Sequence, residues 1–125
     1  MTTEIFRGQC HIATLAKNGD VQAFDIYAKV PRSEINGNYY DGFTLTCTID
    51  YPLKKSYTFK VELYHVMYND EFVYVSVVPI ARQVAEHYQK LWNENESLFE
   101  YHHISDLYIE RMSIYNGKLI VDVGS

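Results

Sequence analysis

The stretch 79–92, Pro-Ile-Ala-Arg-Gln-Val-Ala-Glu-His-Tyr-Gln-Lys-Leu-Trp, constrains this chain more than any other part of it. It is the one segment that reads firmly as a helix in a sequence whose other periodic runs read mostly as strands. Ile80, Val84, Tyr88, Leu91 and Trp92 fall on a single apolar stripe at the 3.6-residue period. Ala81 and Ala85 flank the stripe and permit a close approach. Arg82, Glu86, Gln89 and Lys90 supply the outer face, with Glu86 and Lys90 at a favourable i, i+4 spacing. An isolated stripe of this kind must be buried, and the partner the rest of the chain offers is a sheet. Fully burying its five side chains would contribute on the order of 8–15 kcal/mol before entropy is subtracted.

The strands are read from alternation and turn chemistry. Residues 5–30 are expected to form a hairpin around Lys17-Asn18-Gly19. A three-residue loop with a G1 bulge pairs Ile12 with Phe24, Cys10 with Ile26, Gly8 with Ala28 and Phe6 with Val30. After Pro31, the segment 32–42 has turn residues and no period, and reads as a long irregular loop with Tyr39 and Tyr40 at its tip. Residues 43–51 alternate without a fault, placing Phe43, Leu45, Cys47, Ile49 and Tyr51 on one face and three threonines on the other. The next strand starts with Tyr57, Phe59, Val61 and Leu63 inward. Its phase then slips, which predicts a β-bulge near Tyr64 or His65 or a stretch covered on both faces. Residues 72–78 are nearly continuous apolar and imply burial on both faces. Near the end, Asn116-Gly117 predicts a type I′ turn that pairs Ile114 with Leu119 and Met112 with Val121. Residues 98–103 fit either a short strand or one more helical turn.

The expected product is a single α+β domain over residues 1–125, with a predominantly antiparallel sheet of about six to seven strands. Its order is β-hairpin, three-strand meander, one helix at about 80–93 and C-terminal hairpin, the sheet being packed on or curled around the single helix. Composition agrees, with 47% hydrophobic and 22% charged residues. No apolar run reaches the roughly 20 residues that span a bilayer, and no signal peptide is expected at the N-terminus. Cys10 and Cys47 are far apart and inward-facing, which predicts buried free thiols and a cytoplasmic location.

Several chemistries are weighed down by what the sequence lacks. A net charge of −5 argues against direct nucleic-acid binding, which needs a basic stripe. Phosphate-cradling glycine patterns, nucleophile elbows and zinc or calcium motifs are absent. No catalytic residue, metal ligand or cofactor is assigned. The best chemical constellation, His87 with Glu100, His102, His103 and Asp106, matches no mechanism-bearing spacing, and the adjacent histidines would face opposite ways on a strand.

What remains is a surplus of tyrosine, 12 in 125 residues. Tyrosine suits strands, and it also suits interfaces because it combines a rigid face with a polar tip. The functional expectation is a non-catalytic protein-interaction module, of the kind found among small acidic cytoplasmic inhibitors and immunity or anti-defence proteins of phages and mobile elements. Its partner would be another protein, met through a basic surface on that protein, and the chain itself is expected to form a homodimer. The candidate interaction residues are Tyr39, Tyr40 and Asp41 in the loop, Asp70 and Glu71 at a hairpin tip, and His87, His102 and His103. The alternatives are a binder of a small apolar ligand, with a cavity between sheet and helix, and a histidine-based or metal-dependent enzyme.

Overall fold

The computed structural model describes residues 2–17, 19 and 24–125, with the backbone but not the side chains of His65 and Val66. In chain order its elements are β1 (Thr3–His11), a short helix α1 (Ile12–Ala16), β2 (Tyr27–Pro31), β3 (Asn36–Asn38), β4 (Gly42–Ile49), β5 (Tyr57–Leu63), β6 (His65–Tyr68), β7 (Phe72–Ser76), the long helix α2 (Val77–Glu94), β8 (Tyr108–Tyr115) and β9 (Lys118–Gly124). The architecture is α+β with one main helix, as the sequence predicts. The described residues hold nine strands in two mostly antiparallel sheets, rather than six or seven in one. The larger sheet runs β1-β8-β9-β4-β3, with β5 also paired to β4, and the smaller runs β2-β7-β6.

The alternating runs form as read. In β4, Phe43, Leu45, Cys47 and Ile49 are buried while Thr46 and Thr48 are exposed, and β5 pairs along its whole length. The final hairpin pairs Ile114 with Leu119 and Met112 with Val121. Its turn residues Asn116 and Gly117 both have positive φ, as a type I′ turn requires.

The first hairpin does not form. β1 pairs instead with β8, bringing Phe6 to Met112 and Cys10 to Ile109, and β2 pairs with β7. Between them the chain turns into α1, whose buried Ile12 and Leu15 sit three residues apart on one helical face. The Thr14 carbonyl closes the turn by accepting from Lys17 N–H at 3.2 Å and Gly19 N–H at 2.8 Å. Asn18 and residues 20–23 of the expected hairpin lie outside the described residues. The error has a physical origin: alternation states which face of a strand is apolar but not which strand will cover its edge.

Three further boundaries move. The meander breaks after Leu63, where the chain leaves the larger sheet and β6 joins the smaller one. Ser76 N–H donates to Tyr64 O at 2.8 Å beside this crossing, and the pairing of β6 on β7 slips between His65 and Met67. The phase slip in the sequence thus marks a change of sheet together with an irregular register. The helix starts at Val77, two residues before Pro79, so the proline's missing N–H falls among the first-turn donors that have no intrahelical partner. The 98–103 stretch is neither strand nor a continuation of α2. Glu96–Leu98 and Ile104–Asp106 are 3-10 turns, and Phe99 makes a single bridge to Leu53.

The stripe of α2 is buried at Ile80, Val84 and Tyr88, with Ala81 and Ala85 beside it, while Leu91 and Trp92 are partly buried against the same core. The helix also covers the free edge of β5. Gln83 acts as a substitute strand there: its Oε1 accepts from Glu62 N–H and its Nε2 donates to Glu62 O, both at 2.8 Å. That bidentate contact satisfies one residue of an otherwise open sheet edge.

Cys47 is completely buried beneath the sheet, and burial pushes its thiol from 9.0 up to about 12. Burial likewise raises the Tyr88 phenol. Above about pH 9 the unfolded thiol ionises while the folded one keeps its proton, so the folded state holds more protons and stability falls as pH rises toward 12. Urea midpoints measured from about pH 8 to 11 should decline, and Cys47→Ala should make the decline shallower. A slope unchanged by Cys47→Ala would contradict the burial of this thiol.

Candidate functional site

The segment 32–42 is more ordered than its composition suggests. A 3-10 turn at Arg32–Glu34 leads into β3, which pairs Asn36 with Thr44 and Asn38 with Gly42. The result is a small hairpin with Tyr39, Tyr40 and Asp41 at its tip. Asn38 builds the tip: its Oδ1 accepts from the N–H groups of Tyr40 and Asp41, each at 2.8 Å, and its Nδ2 donates to Asp41 Oδ2 at 3.0 Å. The base is clamped to the C-terminal turn. Gly117 N–H donates to Glu34 O at 2.8 Å, Asn36 Nδ2 donates to Gly117 O at 3.2 Å, and Asn116 N–H donates to the Glu34 carboxylate. That last bond holds the Glu34 carboxyl below the usual range.

This hairpin meets the β6–β7 turn. The ring of Tyr39 stacks on Tyr68 with centroids 5.0 Å apart, and Tyr40 meets Tyr39 edge-on at 5.4 Å. Arg32 lies between the two hairpins. Its guanidinium carbon stands 5.7 Å from the Phe43 ring centre and 5.9 Å from that of Tyr68, and its backbone N–H donates to Glu71 O at 2.8 Å. Asn69 turns the second tip by accepting from Glu71 and Phe72 N–H, both at 2.8 Å. Five of the residues singled out from sequence (Tyr39, Tyr40, Asp41, Asp70 and Glu71) therefore sit at one end of the molecule. Tyr40 is 92% exposed and Met67 54%, and Asp41, Asp70 and Glu71 at the two tips are exposed as well.

The three histidines named with them lie elsewhere, each with a different side-chain partner. His87 is stacked flat on Phe59 with centroids 3.7 Å apart, beside a surface hollow of about 360 Å³ shared with Gln83, Glu86 and Lys90. Desolvation, helped by Lys90, holds its pKa below the usual imidazole value. His102 places Nε2 3.3 Å from the Tyr51 hydroxyl. His103 accepts from Ser105 N–H at 3.1 Å and packs edge-on against Trp92 at 4.6 Å. Among the described residues, no three His, Cys, Asp or Glu side chains stand close enough together to hold a metal ion. The constellation His87, Glu100, His102, His103 and Asp106 does not converge.

Comparison of the chain with protein-family models, with curated proteins and with solved structures gives no match. No helix is long and apolar enough to cross a membrane among the described residues.

Sequence reasoning overlooked Arg32, Met67 and Tyr68. Arg32 directly follows the strand-ending Pro31, and Tyr68 directly precedes the Asn69-Asp70 turn, so each stands where a strand meets its connection. That placement was the available signal, because side chains at strand ends project into the loop layer.

Proposed function

We propose that this chain is a non-catalytic interaction module that acts by covering part of another protein, in the manner of a small cytoplasmic inhibitor or immunity-type protein. One observation carries the reading: the rings of Tyr39, Tyr40 and Tyr68 run together at the meeting point of two hairpin tips, with Arg32 among them and exposed acidic residues at both tips. Tyrosine and arginine are the residue types that dominate binding energy at interface centres, because they bring large area with few rotatable bonds and retain a polar tip. The exposed Asp41, Asp70 and Glu71 would complement basic groups at the rim of the partner and speed encounter. The buried thiols Cys10 and Cys47 suit a reducing compartment. Self-association through the same tyrosines is the homodimer form of this reading.

Photo-crosslinking from position 40 tests it. A benzoylphenylalanine placed there should give one discrete heterologous adduct in the native host, while the same group at the exposed Ile120, on the β9 strand of the larger sheet, should not. The Tyr39→Ala/Tyr40→Ala double variant should fold normally and bind the captured partner at least about tenfold more weakly. A partner retained undiminished by the double variant, or no adduct at position 40, would remove this surface from the function.

A further inference from the structure

A second surface is built on the opposite side of β4's chain reversal, where the 50–53 turn meets the 100–102 loop. Two backbone hydrogen bonds hold the two segments together. Glu100 N–H donates to Pro52 O at 2.9 Å and Lys54 N–H donates to Leu98 O at 3.0 Å, which together make the antiparallel bridge between Leu53 and Phe99. Between them lies an open hollow of about 430 Å³, with Asp50, Tyr51, Glu100, Tyr101 and His102 on its walls. Tyr51 is fixed at both ends. Its carbonyl accepts from the Tyr88 hydroxyl at 2.7 Å, and its own hydroxyl lies 2.8 Å from Ser125 Oγ and 3.3 Å from His102 Nε2.

Two features of this hollow point to a ligand class. It holds two carboxylates and two tyrosines, and no lysine or arginine lines it. Among the described residues, neither Asp50 nor Glu100 takes part in an ion pair. Tyr101 is fully exposed and has φ +59, a conformation that disfavours a side chain. It stands between this hollow and a second one, of about 370 Å³, on the side of Lys54. Aromatic faces attract cations through the ring quadrupole, and adjacent carboxylates add to the attraction.

We propose that the hollow between Tyr51 and Tyr101, with Asp50 and Glu100, receives the protonated side chain of a lysine or arginine carried by a protein. The hollow is open and its outer tyrosine is solvated, so a free amine would bind only with a Kd on the order of 10 mM. At that strength the site is useful as one contact within a larger interface. The arrival of the cation on a protein rests on the interaction reading above; the chemistry of the hollow does not.

The test is titration of the isotopically labelled protein with Nα-acetyl-lysine amide, Nα-acetyl-arginine amide, uncharged Nα-acetyl-norleucine amide and spermidine, followed by amide chemical shifts. The two cationic amides should give saturable shifts confined to residues 50–53 and 100–102, and the norleucine amide none. Glu100→Gln and Tyr101→Gly should each weaken binding at least about fivefold. Tyr101→Gly is informative because glycine accepts the positive φ, so loss of binding cannot be put down to misfolding. Equal shifts with norleucine amide, shifts centred on Asp70 and Glu71, or binding unchanged in both variants would each overturn the proposal. Spermidine binding more than about tenfold tighter than the lysine amide would reassign the hollow to a free polyamine and overturn the protein-borne source. Failure here leaves the crosslinking result at position 40 untouched, so the two readings fail separately.

Discussion

Replacing Tyr88 with alanine should lower folding stability by about 3–5 kcal/mol, a large share of what a domain of this size has. Tyr88 is the largest fully buried side chain, 1% exposed, and its ring packs against Phe99 with centroids 6.3 Å apart. It joins the stripe of α2 to the connection after β4, because its hydroxyl donates to Tyr51 O at 2.7 Å. Tyr88→Phe separates the two contributions. It keeps the ring and strips the Tyr51 carbonyl of its donor, which should cost about 1–2 kcal/mol. Urea unfolding followed by circular dichroism gives both values if the m-value is unchanged. An alanine variant within about 1 kcal/mol of the parent would mean that α2 is not seated on the core in this way. Tyr88→Phe should also loosen Tyr51, and with it the cation site, while leaving the Tyr39–Tyr40 hairpin unaffected.

The second large effect is expected at Gly37. This residue has φ +96 in the strand that pairs with Gly42 and Phe43, and a Cβ there would run into the Gly42 carbonyl oxygen. A β-carbon would add the intrinsic strain of positive φ, about 1–2 kcal/mol, to a backbone clash that no rotamer relieves. β3 is only three residues long, so the cheapest response is for the hairpin to open. Gly37→Ala should therefore abolish the stacking of Tyr39 on Tyr68 and remove binding at the tyrosine surface, while the rest of the chain stays folded. Amide exchange over residues 36–44 checks the opening, and the crosslinking yield at position 40 checks its consequence. Full protection in the variant would show that the pairing tolerates a side chain there. Gly42 also has positive φ, at 88°, but a Cβ on it meets nothing, so its substitution should be milder.

Which parts of this architecture can be read from sequence follows from range. The C-terminal hairpin is legible to the residue, because Asn116-Gly117 sets both the turn type and the register within a few positions. The α2 stripe and the β4 and β5 faces are legible for the same reason: periodicity is a local property that burial obeys. The first hairpin is misread because the alternation of Phe6, Cys10 and Ile12 suits Phe24 and Val30 on paper, whereas β1 meets β8 through two register shifts and Ile12 has already entered α1. β1 is taken by β8, about a hundred residues later, and β2 by β7.

The candidate surfaces divide in the same way. The tyrosine tip and the acidic tips can be named from turn chemistry, but their meeting through Tyr68 and Arg32 cannot. The histidine group shows the converse, since His87, His102 and His103 go to different partners, Phe59, Tyr51 and Trp92, and build no common site.

Taken alone, the sequence determines an α+β chain with one amphipathic helix, its apolar faces, one complete hairpin and two inward-facing cysteines. Tertiary structure decides that the strands divide into two sheets, that two distant hairpin tips share one aromatic surface, and that Tyr101 stands exposed beside two carboxylates. The physical reason is that side-chain pattern fixes what must be buried, whereas backbone edges pair with whatever strand closure brings alongside.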